Sequence, residues 1–360
     1  MDEIIEQDCL AYMEKIDLSP MRNKTVYITG ANGLIGTYVI YMLHLANVLK
    51  KTGIHIIAVS KSPPSSALKE IFQNNYTFSA VDLNGPDWNC FKGKADYIIH
   101  GATYAQPKKF IQNYQDTIHL NTMVTERLLR KAKNDGAAFL FLSSSEIYGE
   151  PDENHIPTPE DYPGLCSPVG IRAIYSESKR MGETICFAYR NFESVDAKIA
   201  RISMTYGPGI GLNDERVLAH FLRQALCDNR IMMLDDGSKK RTFCYIADCV
   251  LMLLYILLYG KDYVYNVGGK DSISIRSLAE EICLLTGSTL SGEAVSGEPL
   301  HSPRQVRLDI QRVCDEFSLP PFKPFREGLI RTIEWNELVQ LKLNIGTSVG
   351  NSTPEGVLEI

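Results

Sequence analysis

The stretch TGANGLIG, residues Thr29 to Gly36, decides the fold of this chain. It follows the run TVYIT, which predicts a strand, and it leads into residues 34–50, which predict a helix. Gly30, Gly33 and Gly36 recur at every third position of the turn. A backbone without Cβ atoms can approach a ligand closely, and the free N–H groups of the helix start point at it. This strand–turn–helix unit therefore predicts a site for the pyrophosphate of a dinucleotide.

Short β-branched runs alternate with longer helical stretches on both sides of this unit. Strands are predicted at IHIIAVS, YTFSAVDL, ADYIIHGA, AAFLFLSS and AKIARISM, and helices at about 112–133, 174–190, 215–227 and 274–287. This alternation predicts an α/β fold with a Rossmann-type, doubly wound parallel sheet. The segments RTFCYIADC and YVYNVGG are predicted to be late strands that return to the same sheet.

The pattern along the chain also predicts how it divides. We expect an N-terminal extension over residues 1–22 and a Rossmann dinucleotide-binding domain over 23–204, to which residues 242–270 return. Residues 205–241 and 271–340 are expected to form a smaller C-terminal substrate-binding lobe. Residues 341–360 are polar and glycine-rich, and they are predicted to be a disordered or peripheral tail.

Composition narrows the class of protein. The formal net charge of −6 argues against a nucleic-acid or membrane-surface partner, which would require a basic face. The acidic start MDEIIEQDCL does not resemble a signal peptide, and the apolar run CVLMLLYILLYG is too short to span a bilayer. The nine cysteines contain no CxxC pair, which predicts reduced core residues and no metal site. We therefore expect a cytoplasmic protein without nucleic-acid, membrane or metal partners.

The end of the second predicted strand bears on the choice of cofactor. It reads VSKS, so Ser60 and Lys61 stand where an Asp or Glu usually holds the adenosine ribose of NAD. This end would tolerate the 2′-phosphate of NADP, and the residues leave NAD and NADP both open. Asp82 and Leu83 close the third strand and are candidate contacts to the adenine edge. An Asp at a strand end also commonly caps a turn.

The stretch AIYSESKRMGE places Tyr175 and Lys179 four residues apart, on one face of a predicted helix. A tyrosine with its ordinary pKa of about 10 is a poor base near neutrality. An ammonium group one turn away, together with a positive nicotinamide, favours the phenolate. Tyr175 could then remove a proton from a sugar hydroxyl while hydride leaves the same carbon. The candidate cofactor-binding residues are Gly30, Asn32, Gly33, Leu34, Ile35, Gly36, Ser60, Lys61, Asp82, Leu83, Ala102, Tyr175 and Lys179.

The motifs TGANGLIG, SSSEIYG, YSESK and RISMTYGPG run in an order that resembles the extended short-chain dehydrogenase/reductase family, in its nucleotide-sugar branch. Within that branch, SSEIYG, EDY and PVGIRAIYSESKR are most similar to UDP-glucuronate decarboxylases. The resemblance favours NAD over NADP and implies a nucleotide-diphosphate sugar substrate that is oxidised transiently at C4. It also implies a homodimer paired through the two predicted helices at 112–133 and 174–190.

The same resemblance implies catalytic roles at the strand end. Ser144 is expected to hydrogen-bond the C4 hydroxyl and to work with Tyr175. Ser145 and Glu146 are expected to face C5 and C6 of the sugar, where decarboxylases and dehydratases need a carboxylate. Asn121 is expected to tie the ends of the fourth and fifth strands together.

An anionic substrate in an acidic protein requires a local cluster of cations, and guanidinium groups suit phosphate and carboxylate. The resemblance puts Arg216 at the diphosphate and Arg241 at the sugar–diphosphate end. Arg304 and Arg307, in SPRQVRLDI, complete the candidate substrate-binding set.

Several reactions remain open on the sequence. Met204 stands where the branch usually has an Asn that contacts the substrate, and its thioether cannot donate a hydrogen bond. A 4,6-dehydratase acting on GDP-mannose or dTDP-glucose is the nearest alternative, followed by a 4-epimerase. The Asp that serves glucose dehydratases is replaced here by Ser145, which favours decarboxylation. A cofactor-binding scaffold without catalysis is a further alternative, although Ser144, Tyr175 and Lys179 argue against it.

Overall fold

The computed structural model describes residues 2–73, 76–292 and 305–350. The strands are β1 (Thr25–Thr29), β2 (His55–Ser60), β3 (Thr77–Ala80), β4 (Tyr97–His100), β5 (Ala138–Ser144), β6 (Ala197–Ile202), β7 (Met204–Tyr206), β8 (Arg230–Met232), β9 (Lys240–Tyr245), β10 (Val264–Val267), β11 (Ser272–Ser274), β12 (Thr289–Ser291) and β13 (Gln305–Val306). The helices are α1 (Glu3–Met13), α2 (Leu34–Lys50), α3 (Ser66–Lys69), α4 (Pro107–Gln112), α5 (Tyr114–His119), α6 (Thr125–Asp135), α7 (Ala173–Glu193), α8 (Val217–Asp228), α9 (Ile246–Tyr259), α10 (Ile275–Thr286), α11 (Gln311–Phe317) and α12 (Phe325–Gly350).

The main sheet has seven parallel strands in the order β10-β6-β5-β4-β1-β2-β3. The chain winds outward from β1 through β2 and β3, and then crosses to the other side of β1 to form β4, β5, β6 and β10. Ligands of doubly wound sheets bind at the carboxyl ends of the strands where this order reverses, which here lies between β1 and β4. The predicted α/β Rossmann-type fold is therefore confirmed.

Both faces of the sheet are buried, which explains the nearly continuous apolar strands. Val26 and Ile28 of β1 point into one core cluster, whereas Tyr27 between them points into the other. Helices α2 and α9 supply the first cluster, and α6 and α7 supply the second. Helix α1 also packs against α2 and α9, and Asp8 accepts a hydrogen bond from Tyr38 on α2 at 3.1 Å.

The structure corrects several predicted elements. RTFCYIADC does not return to the main sheet, because β9 pairs instead with β7, β11 and β13, and helix α9 already begins at Ile246. AKIARISM is divided into two strands, because β6 stays in the main sheet whereas β7 pairs with β9. The single helix predicted at 112–133 is divided into α4, α5 and α6, with a π-helical turn at Leu120–Val124.

The predicted tail also differs from the structure. Helix α12 continues to Gly350, well beyond the predicted boundary at residue 340, and residues 351–360 lie outside the described part of the chain. Within the described residues, no helix combines the length and hydrophobicity that a bilayer crossing requires.

Candidate active site

The glycine turn after β1 forms a cradle that side chains would fill. Gly30 has a φ of +74°, and a Cβ atom there would lie 2.6 Å from the carbonyl oxygen of Gly101. A Cβ atom on Gly36 would lie 2.5 Å from the carbonyl oxygen of Gly30. Gly33 is the N-cap of α2 and gives that helix no side-chain cap, so its first N–H groups suit an anion. These residues fit the pyrophosphate of a dinucleotide.

Asn32 and the neighbouring candidates shape this cradle. The Asn32 amide donates to Ser62 Oγ at 3.0 Å and to the Pro63 carbonyl at 2.8 Å, and its oxygen accepts from the Ser65 N–H at 2.9 Å. Its side chain is therefore committed to the loop after β2. Leu34 and Ile35 are partly buried in the first turn of α2. The Ala102 N–H donates to Thr29 Oγ1 at 3.3 Å, beside the carboxyl end of β1.

The structure places Lys61 between two carboxylates. Its Nζ lies 2.8 Å from Asp82 Oδ2 and 3.3 Å from Asp116 Oδ2. The hydrogen bond to Asp82 is the main reason that the pKa of Lys61 is raised. A 2′-phosphate bound beside Lys61 would meet both carboxylates, so this arrangement favours NAD over NADP. Asp82 also accepts a hydrogen bond from the Asn84 N–H at 3.0 Å, which confirms that Asp82 caps a turn; its contact with the adenine edge stays a prediction. Ser60 is partly buried and Leu83 is buried beside this pair.

Tyr175 and Lys179 lie buried on α7, beneath the carboxyl end of β5. Tyr175 stacks on Phe110 at 5.2 Å between ring centroids. Burial raises the pKa of Tyr175 to about 12, whereas its hydrogen bond with Ser144 and the charge of Arg216 act to lower it. Lys179 Nζ donates to the Leu142 carbonyl at 2.6 Å, and burial lowers the pKa of Lys179 to about 7.

Desolvation is the largest cause of both pKa shifts, and it opposes the charged forms of both side chains. In the protein without cofactor, Ser144 and the charge of Arg216 act to lower the pKa of Tyr175. The role of Lys179 in favouring the phenolate stays a prediction.

Glu146 faces Arg172, a residue of the motif PVGIRAIYSESKR for which the sequence predicts no role. Arg172 Nη2 donates to both carboxylate oxygens of Glu146, at 2.6 and 2.5 Å. Glu146 lies with the partly buried Ser145 in a 3₁₀ turn that directly follows β5, and Arg172 is the N-cap of α7. Arg241 belongs to the same group, because the charges of Glu146 and Arg172 both act on it. Burial lowers the pKa of Arg241, Glu146 acts to raise that pKa, and Arg172 acts to lower it. We call Glu146, Arg172 and Arg241 the charged cluster.

The other predicted substrate-binding cations lie on different elements. Arg216 is the N-cap residue of α8 and pairs with Asp214 at 2.6 Å, and its positive charge acts to lower the pKa of Tyr175. Arg307 is exposed and directly follows β13, in which Val306 stands opposite Arg241. Arg304 lies outside the described residues.

The resemblance implied that Asn121 ties the ends of the fourth and fifth strands together, but its amide contacts a helix instead. It lies in the π-helical turn, and its amide donates to Ser178 Oγ on α7 at 3.0 Å. The side chain therefore links that turn to the helix that carries Tyr175 and Lys179.

A dinucleotide cradle at the sheet's switch point, beside a buried tyrosine and lysine on one helix, defines an oxidoreductase-type site of the short-chain dehydrogenase/reductase class. Residues 26–268 match the profile of the NAD dependent epimerase/dehydratase family, and the chain belongs to this family. The predicted membership is thereby confirmed, as are enzymatic function and NAD as the cofactor.

Individual relatives agree with this assignment. The chain is 32% identical over 322 residues to UDP-glucuronic acid decarboxylase 1 of Xenopus tropicalis, covering 88% of this chain and 73% of the relative. It is 34% identical to UDP-glucuronic acid decarboxylase 5 of Arabidopsis thaliana, covering 86% and 91%. The UDP-glucuronic acid 4-epimerase of Bacillus cereus, solved with UDP-glucuronic acid and NAD, has the same fold with a TM-score of 0.73. It is 23% identical, with 88% of this chain and 99% of that chain covered.

Proposed function

We propose that this chain is an NAD-dependent UDP-glucuronate decarboxylase that forms a UDP-pentose. The charged cluster supports this proposal most directly. Arg172 binds Glu146 through both carboxylate oxygens, and the charges of Arg172 and Glu146 both act on the buried Arg241, so two guanidinium groups lie together at this end of the sheet. A sugar carboxylate at C6 could bind these guanidinium groups, whereas a neutral hexose offers them no charge. The decarboxylases among the relatives agree with this choice of substrate.

The proposed chemistry begins at C4 of the sugar. Ser144 would hydrogen-bond the C4 hydroxyl and the phenolic oxygen of Tyr175, which would take the hydroxyl proton. NAD bound in the glycine cradle would supply the chemistry of a reversible hydride acceptor for C4. Lys179 would stabilise the phenolate, and the cradle at Gly30, Gly33 and Gly36 would hold the pyrophosphate.

Decarboxylation would follow from the position of the new ketone. The C4 carbonyl is β to the C6 carboxylate, so the C5–C6 bond can break and leave its electron pair in an enolate at C4. Carbon dioxide departs, a proton adds to C5, and reduction at C4 restores the alcohol, with no net oxidation. Arg172 and Arg241 would orient the carboxylate before it leaves, and Arg216 would contact the diphosphate.

The test is to incubate the purified protein with NAD and UDP-glucuronate and to analyse the products by mass spectrometry. We expect carbon dioxide and a UDP-pentose. Loss of water from GDP-mannose or dTDP-glucose would identify a dehydratase instead, and a UDP-uronate of unchanged mass but inverted C4 would identify an epimerase. Cofactor binding without turnover of any of these sugars would identify a scaffold.

We also propose that the chain forms a homodimer through the π-helical turn and α7. Met123, Met181 and Phe192 are large apolar side chains that are 65%, 54% and 81% exposed. Met181 and Phe192 lie about three turns apart on the same face of α7. A second copy that packs its own helices on this face would bury these side chains.

Charged residues on this face are expected to separate the dimer. Met181→Lys combined with Phe192→Lys should halve the mass measured by analytical ultracentrifugation, because two lysines would be buried without partners. Leu284→Lys is the matched control, since Leu284 is 68% exposed but lies on α10. A monomeric wild-type protein, or a double variant that keeps the dimer mass, would contradict the proposed interface.

A further inference from the structure

Glu183 is a buried carboxylate that the proposed chemistry does not use. It lies on α7 one turn after Lys179, and it is only 8% exposed. Its Oε1 accepts a hydrogen bond from Ser143 Oγ at 2.5 Å, and Arg201 contacts both oxygens, with the shortest distance 2.7 Å to Oε2. A carboxylate loses much hydration on burial, so such a residue needs partners of this kind and usually a function.

The contacts of Glu183 and Lys179 fasten the helix to consecutive residues of one strand. Lys179 Nζ donates to the Leu142 carbonyl at 2.6 Å, and Glu183 accepts from Ser143, the next residue of β5. Ser143 stands opposite Arg201 of β6 in the sheet. Strands β5 and β6 and helix α7 are thus joined directly before Ser144, the residue that acts to lower the pKa of Tyr175.

The groups around Lys179 determine whether its amine is protonated. The titratable groups that act on Lys179 are Tyr175, Glu183 and Cys186 on its own helix and His100 on β4. Burial lowers the pKa of His100 to about 3 and raises the pKa of the Cys186 thiol, so both are neutral near pH 7. On the β5 side Lys179 meets the ring of Phe141, at 4.5 Å, and a backbone carbonyl. Among these groups Glu183 is the one carboxylate, and its negative charge acts to raise the pKa of Lys179.

We infer that Glu183 is a positioning residue that keeps Lys179 protonated and fixed against β5 during the C4 oxidation. The effect on the C4 oxidation rests on the proposed function. The effect on the charge of Lys179 does not, because that charge can be measured without substrate or cofactor. Burial favours the neutral amine, and the negative charge of Glu183, anchored by Arg201 and Ser143, opposes that effect. A protonated Lys179 is the form that would stabilise the Tyr175 phenolate.

The test is a titration of Lys179 in protein labelled with ¹³C-lysine, without added NAD. The Cε resonance is assigned by its loss in Lys179→Met. Glu183→Gln removes the charge but keeps the shape, and it should lower the midpoint of Lys179 by about one pH unit. The high-pH limb of kcat/KM should move to lower pH in the same direction, because the protonated lysine is lost earlier. Glu183→Asp keeps the charge and should restore most of the midpoint.

Two further variants keep the test decisive. Glu177→Gln is the matched control on the same helix, where the carboxylate pairs with Arg180 at 3.6 Å and should leave Lys179 unchanged. If Glu183→Gln does not fold because Arg201 loses its partner, the double variant Glu183→Gln/Arg201→Met removes both charges. It should still lower the midpoint of Lys179, but by less, because the loss of the Arg201 cation acts in the opposite direction. A folded variant with the wild-type midpoint would overturn the inference, whereas a lowered midpoint in a protein inactive on all sugars would leave it standing and refute only the proposed function.

Discussion

Tyr175→Phe is expected to lower kcat by about 10³-fold while leaving NAD affinity unchanged. The hydroxyl oxygen is the atom that would accept the C4 proton, and the variant removes it together with its interaction with Ser144. The phenylalanine ring can keep the stacking on Phe110 at 5.2 Å, so the cradle around Gly30 should be undisturbed. Single-turnover kinetics with UDP-glucuronate would measure the rate, and calorimetric titration would measure NAD binding.

The same substitution elsewhere in the chain provides the control. The Tyr255 hydroxyl on α9 donates to the carbonyl of Lys15, just after α1, at 2.7 Å, and Tyr255→Phe should leave kcat unchanged. Turnover of Tyr175→Phe at the wild-type rate would remove Tyr175 as the base. A parallel loss of NAD affinity would indicate damage to the site rather than loss of a proton acceptor.

The sequence predicted the parts of the site that are encoded locally. The strand–turn–helix unit around Gly30 has the predicted bounds for α2, because three glycines and the switch from period two to period 3.6 lie within one short segment. Tyr175 and Lys179 likewise share one helix, so their relative placement follows from spacing alone.

The misplaced features depend on distant partners. Arg172 meets Glu146 across 26 residues of sequence, and nothing in the spacing of the two indicates that bond. The assignment of β9 to the wrong sheet has a similar origin, because an apolar β-branched run does not specify which strands pair with it. The pKa of Tyr175 depends on how completely the fold buries its side chain, and the spacing of Tyr175 and Lys179 in the sequence does not predict that burial.

Glu146→Gln is expected to lower kcat for decarboxylation by about 10²-fold and to lower KM at the same time. In the wild-type protein Glu146 holds Arg172 through both carboxylate oxygens and moderates the positive charge of the charged cluster. The glutamine variant releases Arg172 from its ion pair, so Arg172 can bind the substrate carboxylate, which should bind more tightly in the ground state. Because that carboxylate must lose its charge as carbon dioxide leaves, tighter ground-state binding raises the barrier.

The direction of the KM change separates this account from its alternatives. A 4-epimerase keeps the carboxylate throughout, so in that enzyme Glu146→Gln should tighten binding with little loss of kcat. Glu150→Gln, in the exposed segment after the same turn, is the matched control and should behave as wild type. Steady-state kinetics with carbon dioxide release as the readout would decide, since an increased KM in Glu146→Gln would mean that Glu146 itself binds the sugar and that the arginines do not hold the carboxylate.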